Sequence, residues 1–456
     1  MQSTKLHFAQ ALTPDGWREG VTVTVGLDGM IETVVQAASG EGATQISGIA
    51  VPAMPNVHSH AHQRFMLGLA ERAGPGVDSF WTWREAMYGF AHRLSPDDLE
   101  AVAAQLYVEM LKAGFSVVGE FQYLHHQPDG TPYSDPAEMS LRCLAAAGQA
   151  GIGITILPTL YAFGGFGGQT PVEGQRRFIN DADGFLNIFE SLSIQARGHL
   201  LRRTGISPHS LRAVTPDLLA RVISGIPEDA PIHIHVAEQV KEVEDCLAFS
   251  GLRPVQMLLR EFALSSRWTA IHATHMTAQE TAGLARSGAI AGLCPTTEAN
   301  LGDGIFPAVS YLQEGGAIAI GSDSHITVSP AEDLRMLEYS QRLRDLTRNA
   351  LAGGPGQSTG RRLFEAALGG GAQSMRQPVG AIAPGYRFDI AVLDSGHALL
   401  AGREGDAALD TWIFSGGNAL VKDVFVAGGH VVKDRHHAHE ETIARNFRSA
   451  LRRLAT

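Results

Sequence analysis

The chain has 456 residues, 44% of them apolar, and a formal net charge of −11. That length holds one large domain and a smaller one, and the acidic balance argues against a nucleic-acid partner. No apolar stretch is long enough for a membrane span, the first residues lack a signal-peptide core, and three widely spaced cysteines, Cys143, Cys246 and Cys294, predict reduced thiols in a cytoplasmic protein.

Residues 1–50 read as short strands with turns, for example at 21–25 and 31–35. From residue 51 the pattern changes. Eight apolar, β-branched runs lie near 51–58, 115–121, 152–158, 203–208, 231–236, 268–274, 289–294 and 317–323. Helical patterns fill most gaps, at 96–113, 136–150, 216–226 and 277–287, and another at 331–349 follows the last run. Eight strand–helix units in series predict an α/β fold, a (β/α)8 TIM barrel over 51–377. The long insertion after the first strand carries Trp81, Trp83 and Arg84 and is expected to form a lid or a pocket wall. The glycine-rich stretch 352–356 lacks the lysine and helix of a phosphate cradle and reads as a plain loop. Residues 378–434 return to short strands. Both ends, 1–50 and 378–456 with its C-terminal helix, are expected to combine into a small β-sandwich packed on the barrel. His436, His437 and His439 are expected on a solvated surface.

The chemistry-bearing residues sit at the ends of the runs. His58 and His60 are two apart, so in a strand both imidazoles face one way. His233 and His235 form a second such pair, followed by Glu238; His272 ends the sixth run and Asp323 the eighth. In a barrel, C-terminal strand ends converge on one mouth. Three imidazoles and a carboxylate suit Zn2+ with a position left for water, and Fe2+ fits the same ligand types. His233 competes with His235 as third ligand but lies one pleat deeper, which suits a core residue. His275 competes with His272, which is favoured by its place directly after Ala270 and Ile271.

The order His-x-His, His-x-x-Glu, His, Ser-Asp resembles the amidohydrolase superfamily, in its mononuclear aminohydrolase branch. The resemblance runs through nearly the whole chain. It implies one Zn2+ per subunit held by His58, His60, His235 and Asp323. Hydrolysis at a C–NH2 or C=NH centre needs water activation, attack and protonation of departing ammonia. Asp323 is expected to act as base, His272 to orient the water and stabilise charge, and Glu238 to carry protons to nitrogen.

Around these, Gln63, Arg84, Tyr123, His209 and Arg212 are expected to bind substrate. Two arginines near one mouth suit carboxylates, which guanidinium grips through paired hydrogen bonds. The stretches 54–64, 120–126, 207–212, 293–302 and 321–325 resemble superfamily members that hydrolyse N-formimino-L-glutamate to N-formyl-L-glutamate and ammonia in histidine degradation. That resemblance implies a small dicarboxylate amidine substrate and a homodimer. Gln122 stands where it leads one to expect histidine; as strand neighbours, Gln122 and Tyr123 point oppositely. The alternative reading is a nucleobase or nucleoside deaminase of the guanine, cytosine or S-adenosylhomocysteine type. Such a pocket needs aromatic or amide contacts rather than two arginines. A noncatalytic barrel would have lost ligands or proton carriers, and none is missing here.

Overall fold

The N-terminal strands are β1 (Thr4–Thr13), β2 (Gly16–Val25), β3 (Ile31–Gln36) and β4 (Thr44–Pro52). Alternation along β1 and β2 turns Leu6, Phe8, Val21, Val23 and Val25 to one core. The computed structural model describes residues 3–36, 40–72, 76 and 78–454.

The next nine strands are β5 (Met54–Ser59), β6 (Phe115–Gln122), β7 (Gly153–Leu160), β8 (Arg202–Thr204), β9 (Ser207–Pro208), β10 (Ile232–Val236), β11 (Trp268–His272), β12 (Ile290–Leu293) and β13 (Ala317–Ile320). All pair in parallel. β5, β6 and β7 are buried at every position, as parallel strands covered on both faces must be. The strands form two arcs, β5 to β9 and β10 to β13. Single parallel bridges join the arcs, Ser59 to Asp323 at one seam and Ile206 to Ile232 and Ser210 to His235 at the other. The run expected at 203–208 is therefore two short strands. Both pair with β7, and between them Ile206 N–H donates to Pro231 O at 2.9 Å and Ile206 O accepts from His233 N–H at 3.0 Å, so this one residue turns to β10 and bridges the seam.

Helix Thr359–Met375 was not legible in the sequence pattern. Its Gly369, Gly370 and Gly371 argue against a helix, yet close approach demands one of them: a Cβ on Gly370 would stand 2.0 Å from Ile318 O. The helix packs on β5 and β13, and its end joins a core with Val57, Val117, Ile290 and Ala319.

The last strands are β14 (Ile390–Leu393), β15 (Val421–Val426), β16 (Gly429–Lys433) and β17 (His436–His437). They join the N-terminal strands, as expected of the two chain ends, in one hydrogen-bonded sheet ordered β17-β16-β15-β14-β4-β1-β2-β3. Phe8 and Phe425 both meet Phe388, at 6.5 and 5.6 Å between ring centroids, across this sheet's core. One histidine of the tail departs from expectation: His437 is buried and donates from Nε2 to Ala150 O at 2.9 Å, because β17 is laid against the barrel by its pairing with β16. No helix of the described residues is long and apolar enough to cross a membrane.

Candidate active site

Strand ends assemble the cluster. His58 lies in β5 with His60 just past it, His235 lies in β10, His272 ends β11, and Asp323 follows β13. The seam between β5 and β13 places Asp323. Its N–H donates to His58 O at 3.0 Å, while His60 N–H donates to Asp323 O at 3.2 Å. Asn56 brackets Ser322 with bonds of 2.7 and 3.1 Å. Gly321 is required there, since a Cβ would lie 2.7 Å from His58 Cβ. Backbone strain gathers at the same mouth. Ala237, His272, Ala273, Asp323 and His325 have φ between 46° and 67°. Such conformations cost a non-glycine residue about 1–3 kcal/mol and collect at functional sites.

His58 Nε2 lies 3.0 Å from His235 Nε2 and 3.3 Å from Asp323 Oδ1; His60 Nε2 lies 3.5 Å from that oxygen. His60 Nδ1 donates to Phe121 O at 2.9 Å and His235 Nδ1 to His209 O at 3.0 Å. A carbonyl only accepts, so both rings are protonated on Nδ1 and turn an Nε2 lone pair inward. Burial, reinforced by neighbouring imidazoles, holds His58 and His235 well below the usual histidine range and therefore neutral. Neutral imidazoles with inward lone pairs beside a buried carboxylate fit one divalent cation. His233 is not part of this set. Its Nε2 meets Ser374 O and Oγ at 3.2 and 3.1 Å. His275 Nε2 donates instead to Asp303 O at 2.8 Å.

The residues expected to move protons flank the cluster. His272 Nε2 is 3.8 Å from Glu238 Oε1 and 3.7 Å from Asp323 Oδ2, and its Nδ1 faces Glu298 Oε1 at 3.2 Å. Burial opposes charge on His272, but Glu238, Glu298 and Asp323 outweigh it and lift the imidazole to about 10. Burial lifts the Glu238 carboxyl to about 7, with His272 opposing and Asp323 adding. A carboxyl near 7 both gives and takes protons at neutral pH.

The substrate-binding candidates share one cavity with this cluster. Gln63, Arg84, Tyr123, His209 and Arg212 line it together with His60, His235, Glu238, His272 and Asp323. Tyr123 OH accepts from Gln63 Nε2 at 3.1 Å and meets His62 Nε2 at 2.8 Å. His209 packs on Tyr161 and His235, at 4.6 and 4.9 Å between centroids. Arg84 comes from helix Phe80–Ala91, which supplies one wall. Arg212 is 8% exposed. Among the described residues neither arginine has a carboxylate within 4.0 Å, and each has a buried Nε without a hydrogen-bond partner. Arg64 turns away, to His325 O and Glu109 at 2.5 and 2.6 Å. Gln122 does too: its Oε1 accepts from Leu124 N and its Nε2 faces Cys143 Sγ.

Two carboxylates have roles that sequence reasoning missed. Glu120, fully buried, accepts from Ser59 Oγ at 2.6 Å, Ala61 N at 2.7 Å and Tyr107 OH at 3.0 Å. It thereby clamps the turn that carries His58 and His60. Glu298 holds the far nitrogen of His272 and accepts from Cys294 N at 2.9 Å. The cue for Glu120 was a charged residue inside an apolar run, which calls for a buried partner; Glu298, next to Thr296, Thr297 and Asn300, carried no such cue.

A cation-suited cluster at the C-terminal mouth of a β/α barrel, flanked by buried carboxylates, defines the class: a barrel hydrolase. The chain belongs to the amidohydrolase family, whose model matches residues 49–431. It is 52% identical to a formimidoylglutamate deiminase of Pseudomonas aeruginosa, over 98% of this chain and 99% of that one. To a 5-methylthioadenosine/S-adenosylhomocysteine deaminase of Nitratidesulfovibrio vulgaris it is 27% identical, covering 76% and 72%. The crystal structure of an amidohydrolase from Brucella melitensis superposes with a TM-score of 0.94 at 49% identity, covering 99% of this chain and all of that one. The protein is a hydrolytic deiminase by this kinship.

Proposed function

We propose that the protein hydrolyses N-formimino-L-glutamate to N-formyl-L-glutamate and ammonia, with zinc as its metal, in histidine degradation. One observation carries the substrate: Arg84 and Arg212 line the reaction cavity, each with a buried unpartnered Nε and, among the described residues, no carboxylate within 4.0 Å. The 52% identity to a formimidoylglutamate deiminase supports the same reading. Three free, buried cysteines suit a reducing compartment such as the cytoplasm.

His58, His60, His235 and Asp323 would hold the metal. When bound, it lowers the pKa of water to about 7 and so supplies hydroxide near neutral pH. Arg84 and Arg212 take the two carboxylates, and Gln63, Tyr123 and His209 complete the cradle, which brings the formimino carbon to the cluster. Asp323 accepts the proton of the attacking water. His272, kept cationic by Glu238, Glu298 and Asp323, steadies the developing negative charge on oxygen. Glu238 gives a proton to the imine nitrogen as the C–O bond forms. Glu238 then takes the hydroxyl proton of the tetrahedral adduct and passes it to the same nitrogen; the C–N bond breaks, ammonia leaves as C=O re-forms, and the proton held on Asp323 restores Glu238.

The test is ammonia release by the zinc-loaded protein from N-formimino-L-glutamate, guanine, cytosine and S-adenosylhomocysteine in parallel. The expected result is turnover of the first alone, with kcat/KM of about 10^4 M−1 s−1 or more. Turnover of a nucleobase or nucleoside with none of the dicarboxylate would overturn the substrate assignment and keep the hydrolase.

A further inference from the structure

The indole of Trp81 stands outside the reaction cavity but touches both guanidiniums that line it. Arg84 Cζ is 4.5 Å and Arg212 Cζ 5.7 Å from the ring centroid. Lys241 Nζ is a third cation at 6.0 Å. Lys241 is already paired, with both oxygens of Asp245 at 2.8 and 2.9 Å. Arg84 and Arg212 are not paired with any described carboxylate. They line both the inner cavity and an outer cleft, whereas Trp81 and Lys241 line only the outer cleft.

The arrangement solves an electrostatic problem. Two like charges converge on one cavity and must be held there before substrate arrives. A carboxylate behind them would hold them but would compete with the substrate's own carboxylates. An aromatic face attracts a cation through its quadrupole and leaves the N–H donors free. The indole also spans two elements, because Trp81 and Arg84 share helix Phe80–Ala91 while Arg212 lies beyond β9. Holding both guanidiniums on one ring fixes this helix against the barrel mouth.

We propose that Trp81 is a positioning residue that presents Arg84 and Arg212 to the substrate's carboxylates and so sets affinity for a dicarboxylate. This rests on the reading that the two arginines bind those carboxylates.

The experiment is steady-state kinetics of zinc-loaded Trp81→Leu and Trp81→Phe with N-formimino-L-glutamate, and with formamidine, which carries the amidine but no carboxylate. Trp81→Leu is expected to raise KM for N-formimino-L-glutamate about 10-fold or more, with kcat changed less than about 3-fold. Its kcat/KM for formamidine stays near wild type. Trp81→Phe keeps an aromatic face and is expected to raise KM only about 3-fold. Equal losses on both substrates would reduce Trp81 to a structural role, and an unchanged KM in Trp81→Leu would overturn the proposal while the wild-type reaction stands. If Trp81→Leu does not fold, Trp81→Phe decides: a raised KM at constant kcat supports the proposal, an unchanged KM overturns it. A wild-type protein that does not turn over N-formimino-L-glutamate would remove the parent reading and this one with it.

Discussion

Glu238→Gln is expected to lower kcat by about 10^3-fold, within the range that a positioned acid–base group contributes, while metal content stays at one equivalent. The substitution keeps size and one carbonyl oxygen but cannot transfer protons. Glu238 is 3.8 Å from His272 and lines the cavity, yet it lies outside both groups of converging donor atoms. Its carboxyl sits near 7 because burial raises it against the pull of His272. An amide would therefore remove the proposed proton carrier and spare the donor atoms of the cluster. KM is expected to change little, because the guanidiniums are untouched. Metal analysis beside single-turnover kinetics checks the result. Loss of metal in Glu238→Gln would contradict the assigned role, as would retained turnover.

Arg212→Met is expected to raise KM for N-formimino-L-glutamate by about 100-fold or more, since removing one partner of a buried charged pair costs about 2–5 kcal/mol and each 1.4 kcal/mol is tenfold. Methionine fills similar volume and leaves the donor atoms of the cluster in place. Arg212 is a 92% buried cation with an unpartnered Nε and no described carboxylate within 4.0 Å. Burial opposes its charge, but Glu242 and Glu238, further away, outweigh it and favour the charged form. Its removal also gives up the contact with the Trp81 ring, so the expected Tm is equal to or slightly below wild type, and the rise in KM is the dominant effect. A lower Tm with unchanged KM would make Arg212 a structural residue.

These expectations start from residues whose positions could be read before any coordinates. His58, His60, His235 and Asp323 were legible because the period of a strand puts alternate residues on one face and a barrel gathers its strand ends. The discrimination of His235 from His233 followed from depth and from the His-x-x-Glu spacing to Glu238, and the structure sets His233 against Ser374, outside the groups of converging donor atoms. Relations between distant elements were not legible. Glu120 and Ala61 are joined by a hydrogen bond across 59 positions, and Glu298 reaches His272 across 26. No local period encodes either contact. Helix Thr359–Met375 carries three consecutive glycines, which disfavour a helix, and only its close packing on Ile318 O explains why Gly370 has no side chain. The contact of Trp81 with Arg212 was likewise invisible, because it joins the insertion after β5 to the chain beyond β9.

The central claim is that water attacks the formimino carbon and that the terminal nitrogen leaves. Product analysis after turnover of N-formimino-L-glutamate in 18O-labelled water reads this directly. The account predicts equal amounts of ammonia and N-formyl-L-glutamate, with one 18O in the formyl group. L-Glutamate with labelled formamide would show that the other C–N bond breaks, and would contradict the delivery of both protons by Glu238 to the terminal nitrogen.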